Sequence, residues 1–185
     1  MGFFDTTALK KQTAITRIAN GTECEQCGLY RASKFSKFPV IGEGRRRVLI
    51  ILENATMQET YQQKQGSIGG VRNLERVLKN FGVSLLEDCW VVRAVRCVPL
   101  YEKGLPAPTV TQIENCRIKL QQTIKTLQPF AIVALGGIAL KSLLGEYVPT
   151  ITSNLFRGLF IPDQRYKAWV CSTYSLDYVQ LYASD

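Results

Sequence analysis

An α/β fold with a parallel sheet covered on both faces is what this sequence predicts, and three observations predict it. Strand-length apolar runs alternate along the chain with stretches of helical periodicity. Those runs are continuously apolar, as strands are when both faces of a sheet are buried. The chain has 185 residues, 46% of them hydrophobic, which is enough for one domain with a sizeable core.

The elements follow in order. Residues 5–20, "DTTALKKQTAITRIAN", read as a helix with Asp5 as N-cap and Gly21 just past its end. A cysteine-bearing loop comes next, then "FSKFPVIGEG", whose Pro and Gly indicate irregular or edge structure. "RVLIILE" (47–53) is a buried strand. "VRNLERVLKNFG" (71–82) places Val71, Leu74, Val77 and Leu78 on one helical face. "CWVVRAV" (89–95) is strand-like. A long helix over 111–129 opens with a capping box from Thr111 to Glu114 and stops at Pro129. "FAIVALG" (130–136) is another buried strand, "GIALKSLLG" (137–145) a short helix closed by Gly145, and "AWVCSTY" (168–174) a last strand. With no repeat, low-complexity tract or linker, residues 1–185 read as a single domain. In open α/β sheets ligands sit at the carboxyl ends of strands, here Glu53, Arg93 to Cys97, Gly136, and Thr173 to Ser175.

Composition narrows the chemistry. A net charge of +8 favours phosphate backbones or anionic surfaces as partners. No apolar run approaches the roughly 20 residues of a membrane span. The N-terminus lacks the apolar core of a secretory signal, so a cytoplasmic location is expected. Histidine is absent, which removes the commonest general base near neutral pH. Catalysis would fall to carboxylates, water, Tyr, Lys or Ser.

Six cysteines are unevenly spaced. Cys89 and Cys171 fall inside apolar strands and read as core thiols. The other four are Cys24 and Cys27, a C-x2-C pair on the loop; Cys97, just after the strand over 89–95; and Cys116, in the first turns of the long helix. A cytosolic setting disfavours disulfides. Zinc, an iron–sulfur cluster and free thiols all remain open, because spacing does not separate them.

The segments "CEQCGLY", "VIGEG", "ENATMQET", "EDCWVVRAVRCVP", "PTVTQIENCRIKLQQTIKTLQPFAIVALGGIALKSLLG", "LFRGLF" and "STYSL" occur in the order seen in family 4 uracil-DNA glycosylases. The resemblance covers roughly residues 21–180 and is most specific over 87–145. It implies three layers, with a central four-stranded parallel sheet flanked by helices. It also implies a 4Fe–4S cluster on Cys24, Cys27, Cys97 and Cys116, and a basic DNA-binding face beside it. In that family a uracil is flipped from the duplex and its glycosidic bond is cleaved with water.

The motifs around the base depart from the family pattern. The family's Gly-Glu-Ala-Pro-Gly reads Leu52-Glu53-Asn54-Ala55-Thr56 here, and Glu59 matches a second acidic position. Ser67 stands where the family's Phe stacks on the uracil, Arg93 where an Asn reads the base edge, and Ser175-Leu176 where a His-Pro lies. Aromatic stacking is worth about 1–3 kcal/mol per base, and that contact is lost unless Tyr61 or Tyr101 replaces it. An Asn amide matches the uracil edge with a donor and an acceptor, whereas Arg93 only donates. Ser175 supplies no charge to a developing anion.

What remains carries two readings for each residue. Glu53 would orient a water or stabilise an oxocarbenium-like sugar, or be satisfied by backbone N–H groups in the following turn. Arg93 would read a guanine or a bulky modified base, or pair with Glu53 and close the pocket. Arg45, Arg46 and Arg47 before the first strand, Arg117 beside Cys116, and Arg157 are candidate phosphate contacts. The expectation is an iron–sulfur DNA-binding scaffold with a protein partner in a replication, mobile-element or defence complex. A glycosylase retuned to a non-uracil base is the alternative.

Overall fold

The computed structural model describes residues 22–32, 37–62, 69–99 and 107–182. The expected helix over 5–20, Ser67 and Tyr101 lie outside the described residues. The elements in chain order are α1 (Thr22–Cys27), α2 (Leu29–Ala32), β1 (Val48–Asn54), α3 (Met57–Gln62), α4 (Gly69–Asn80), α5 (Leu85–Asp88) and β2 (Cys89–Val95). They continue with α6 (Val110–Leu127), β3 (Ala131–Leu135), α7 (Gly137–Leu144), α8 (Ser153–Phe156), β4 (Phe160–Asp163), β5 (Ala168–Thr173) and α9 (Leu176–Tyr182).

The sheet has the order β2-β1-β3-β5-β4, parallel throughout except for β4. The expected four strands are therefore joined by a fifth. It is an antiparallel edge strand of four residues containing Pro162, a residue that an edge tolerates because no donor is missed there. β1 is an interior strand with β2 on one side and β3 on the other, so the crevice between the ends of β1 and β3 is the topological switch point.

Both faces of β1 are buried, which explains its unbroken apolar run. Leu49 and Ile51 face α6 and α7 together with Val92, Ala94, Ile132 and Ala134. Ile50 and Leu52 face the opposite layer with Val71, Leu85, Val91 and Leu135. On α4 the expected apolar face holds for Val71, Leu74 and Leu78, but Val77 is exposed. The capping box of α6 is set two residues earlier than expected. Thr109 accepts from the Gln112 backbone and Gln112 reaches back to the Thr109 N–H, so Thr111 and Glu114 do not form it. Among the described residues no helix is long and apolar enough to cross a membrane.

Candidate functional site

Parallel register sets the end of β1 beside the ends of its neighbours. Ile51 is level with Ala134 and Leu52 with Arg93, so Glu53 arrives next to Gly136. Side-chain alternation then separates the two charged residues. Arg93 shares a face with Leu52, while Glu53 points to the α7 side.

Glu53 caps α7 from outside the helix. Its Oε1 accepts the Ile138 N–H at 3.0 Å, taking one of the first-turn donors for which Gly136, the N-cap, offers no side chain. Gly136 adopts φ 101°, and a Cβ there would meet the Glu53 carboxylate carbon at 2.4 Å. Glycine is thus required by both conformation and space. Burial raises the Glu53 carboxyl above its ordinary value, against the lowering effect of the Ile138 N–H, and Asp177 raises it further.

Glu59 and Arg93 form a buried ion pair across the other face. Glu59 is fully buried and Arg93 is 3% exposed. The same Glu59 carboxylate accepts the Thr56 N–H at 3.1 Å and the Thr56 hydroxyl at 3.2 Å, while the Glu59 N–H donates to Thr56 Oγ1 at 3.2 Å. This is a capping box at the start of α3, and the Thr-x-x-Glu spacing that marks it is visible in the sequence. Arg93 therefore pairs with Glu59, not with Glu53 as the sequence reading allowed. Its Nε has no partner among the described residues. Between these groups lies a space of about 20 Å³, lined by Glu53, Asn54, Arg93, Ser175, Leu176 and Asp177. Among the described residues that is room for about one water, less than a nucleobase needs.

Asn54 and Ser175 serve local backbone. Asn54 donates to the Ala55 carbonyl at 3.0 Å, and Ser175 accepts the Tyr178 N–H at 3.2 Å as the cap of α9. On the far side of Gly136 an open cleft of about 510 Å³ is lined by Gly136, Gly137, Ser153, Asn154, Arg157, Tyr174, Ser175 and Tyr178. Glu53 does not line it. The sequence reading missed Tyr174 and Tyr178, although their spacing of four residues was a signal of one helical face.

The candidate phosphate contacts disperse. Arg45, Arg46 and Arg47 precede β1, so they lie at the amino edge of the sheet, roughly 20 Å from Glu53 along the strand. Arg45 pairs with Glu43 and Glu87, Arg46 with Asp88 and the Gly82 carbonyl, and Arg47 with the Gln128 carbonyl. Arg117 donates to the Ser142 and Lys141 carbonyls near the end of α7. Of the five, Arg157 alone lines the cleft.

The four cysteines come from three elements. Cys24 and Cys27 sit on the short helix α1, where a loop was expected, and Gly28 at φ 70° closes that helix. Cys97 follows β2 and Cys116 lies in α6. Cys97 is buried with Leu29, Val95 and Ile113, and Cys27 and Cys116 pack against that group. All four are free thiols. Burial pushes Cys116 up to about 12 and raises Cys97, and the neighbouring thiols raise both further. A bound metal centre would reverse that direction by holding thiolates. Among the described residues no group of three or more His, Cys, Asp or Glu side chains is set to hold a metal ion. Four thiols are the donor type that an iron–sulfur cluster takes. The Arg96 guanidinium is half-buried beside Cys116, Cys97 and Cys24, a cation suited to offset clustered thiolates.

The family model of the Uracil DNA glycosylase superfamily matches residues 45–184. No curated protein matches the chain.

Proposed function

Because the chain belongs to the Uracil DNA glycosylase superfamily, we propose that it keeps the fold as a DNA-binding scaffold and does not excise uracil. The observation that carries this reading is the Glu59–Arg93 ion pair with the one-water space beside Glu53. The carboxylates are occupied: Glu59 by Arg93 and Thr56, Glu53 by the first turn of α7. Among the described residues, the space beside Glu53 is smaller than a sugar needs.

In this reading Cys24, Cys27, Cys97 and Cys116 hold a 4Fe–4S cluster that ties α1 to β2 and α6. The shared packing of Cys27, Cys97 and Cys116 and the free state of all four thiols support it. The cluster would act as a structural staple, with Arg96 balancing its charge. The protein would serve as a non-catalytic component of a replication, mobile-element or defence complex. A second reading is supported by the cleft of about 510 Å³, which has room for a base: a glycosylase for a modified base, working there without Glu53.

The test is an alkali-revealed cleavage assay on oligonucleotides carrying uracil, xanthine, hypoxanthine or a hypermodified base, run beside a binding assay. The expected result is binding without strand breaks. Excision of any of these bases would replace the scaffold with the second reading. Anaerobically purified protein is expected to be brown with about four irons per chain, whereas stoichiometric zinc without iron would reject the cluster.

A further inference from the structure

Tyr174, Tyr178 and Tyr182 recur every four residues, and the fold turns that spacing into a row. The rings of Tyr174 and Tyr178 stack with centroids 4.4 Å apart and planes 13° from parallel. Tyr182 continues the row at 4.6 Å, tilted by 39°. The Arg157 guanidinium lies 4.3 Å over the Tyr174 ring and donates to its hydroxyl. Tyr178 is 44% exposed and Tyr182 72% exposed. Helical spacing alone explains why the Tyr178 and Tyr182 rings touch, and Tyr174 stands just before α9. That spacing does not explain a row that carries a cation at one end, leaves its other end open to water, and borders a cleft lined with Ser153, Asn154 and Ser175.

We propose that this row is a stacking platform for the unpaired bases of a single-stranded nucleic acid. It rests on the reading that the chain binds nucleic acid and goes beyond it by naming the strand's form and its seat. A base laid on Tyr182 extends the row, because every base presents a π face and stacking needs no particular sequence. Arg157, cationic and exposed at the cleft, meets the phosphates. Ser153 and Asn154 offer neutral hydrogen bonds to sugar or base edges within the cleft. A duplex keeps its base faces covered and so cannot use the row. An apolar protein segment would leave the guanidinium and hydroxyl rim without partners, so a nucleic acid fits better.

Fluorescence anisotropy at low salt tests this with labelled single-stranded DNA, the matching duplex, single-stranded RNA of the same sequence, and a strand of abasic linkers. Tyr182→Ala is expected to weaken binding of the base-bearing single strand about tenfold and to leave the duplex and the abasic strand unchanged. Tyr182→Phe, which keeps the ring, should bind as the wild type does. Arg157→Ala should lower the salt slope by about one. A loss shared by DNA and RNA would support base faces as the recognised element, and a loss confined to one would support the platform and identify its strand. Unchanged single-strand affinity in Tyr182→Ala, with wild-type DNA binding intact, overturns the platform and leaves the DNA-binding reading standing. An equal loss on the abasic strand also overturns it. No binding to any of the four probes brings down the DNA-binding reading itself.

Discussion

The two flanks of Glu53 differ in what they leave unsatisfied. On the Arg93 side, two buried charges and a capping box meet most of one another's needs beside a one-water space, with the Arg93 Nε alone among them left without a partner among the described residues. On the Gly136 side, the cleft is nearly uncharged, yet it presents aromatic and hydrogen-bonding groups to solvent. The more highly charged flank is the more closed one. Charge that is internally balanced specifies structure, and recognition belongs to groups whose partners are still missing.

The comparison breaks most readily at the ion pair. Glu59→Gln and Arg93→Met, made singly, are each expected to lower the unfolding free energy by about 3–5 kcal/mol, since each leaves a buried charge unmatched. The double variant Glu59→Leu/Arg93→Met should recover most of that loss in urea melts. Additive losses would mean that the pair is not the closing element of this flank.

Gly136→Ala comes next, at about 1–3 kcal/mol, because alanine must adopt φ 101° and displace the Glu53 carboxylate. Part of the loss should return in a Glu53→Ala background, measured by thermal unfolding.

Glu53→Gln sharpens the boundary between the flanks. A carboxyl raised by burial contributes its full stability below the unfolded value near about 4.3, and loses it as pH rises through the folded value. The glutamine variant, which can still accept the Ile138 N–H, should therefore be more stable than wild type at neutral pH. That advantage should vanish in acid, as read from unfolding free energies across the range.

The smallest effects belong to the amino edge of the sheet. Arg45→Ala and Arg46→Ala remove exposed ion pairs and should cost less than about 1 kcal/mol each, with no change in the salt slope of DNA binding. A clear fall in that slope would move the nucleic-acid face to the opposite end of the strands.

The strands of the sheet core were legible because burial on both faces leaves continuous apolar runs, and their carboxyl ends followed directly. β4 was not legible, since four residues with Pro162 and a 71% exposed Phe160 show neither run nor alternation. Two capping boxes show the limit of local pattern. Thr56 and Glu59 carried the signature, yet Glu59 was read only as an acidic site position, whereas Thr111 and Glu114 carried it and lost to Thr109 and Gln112. The partner of Arg93 depended on which face of β2 it occupies beside β1, and register is a property of the assembled sheet.

The Glu59–Arg93 pair also constrains the order in which substitutions can accumulate. Placing an Asn at position 93 strands Glu59, and neutralising Glu59 first strands Arg93. Either intermediate gives up a large share of the roughly 5–15 kcal/mol that holds a domain folded. A lineage carrying this pair thus faces a valley on every single-step route to an open base pocket at this position. New activity has easier ground on the other flank, where side chains at the cleft can change one at a time without orphaning a charge.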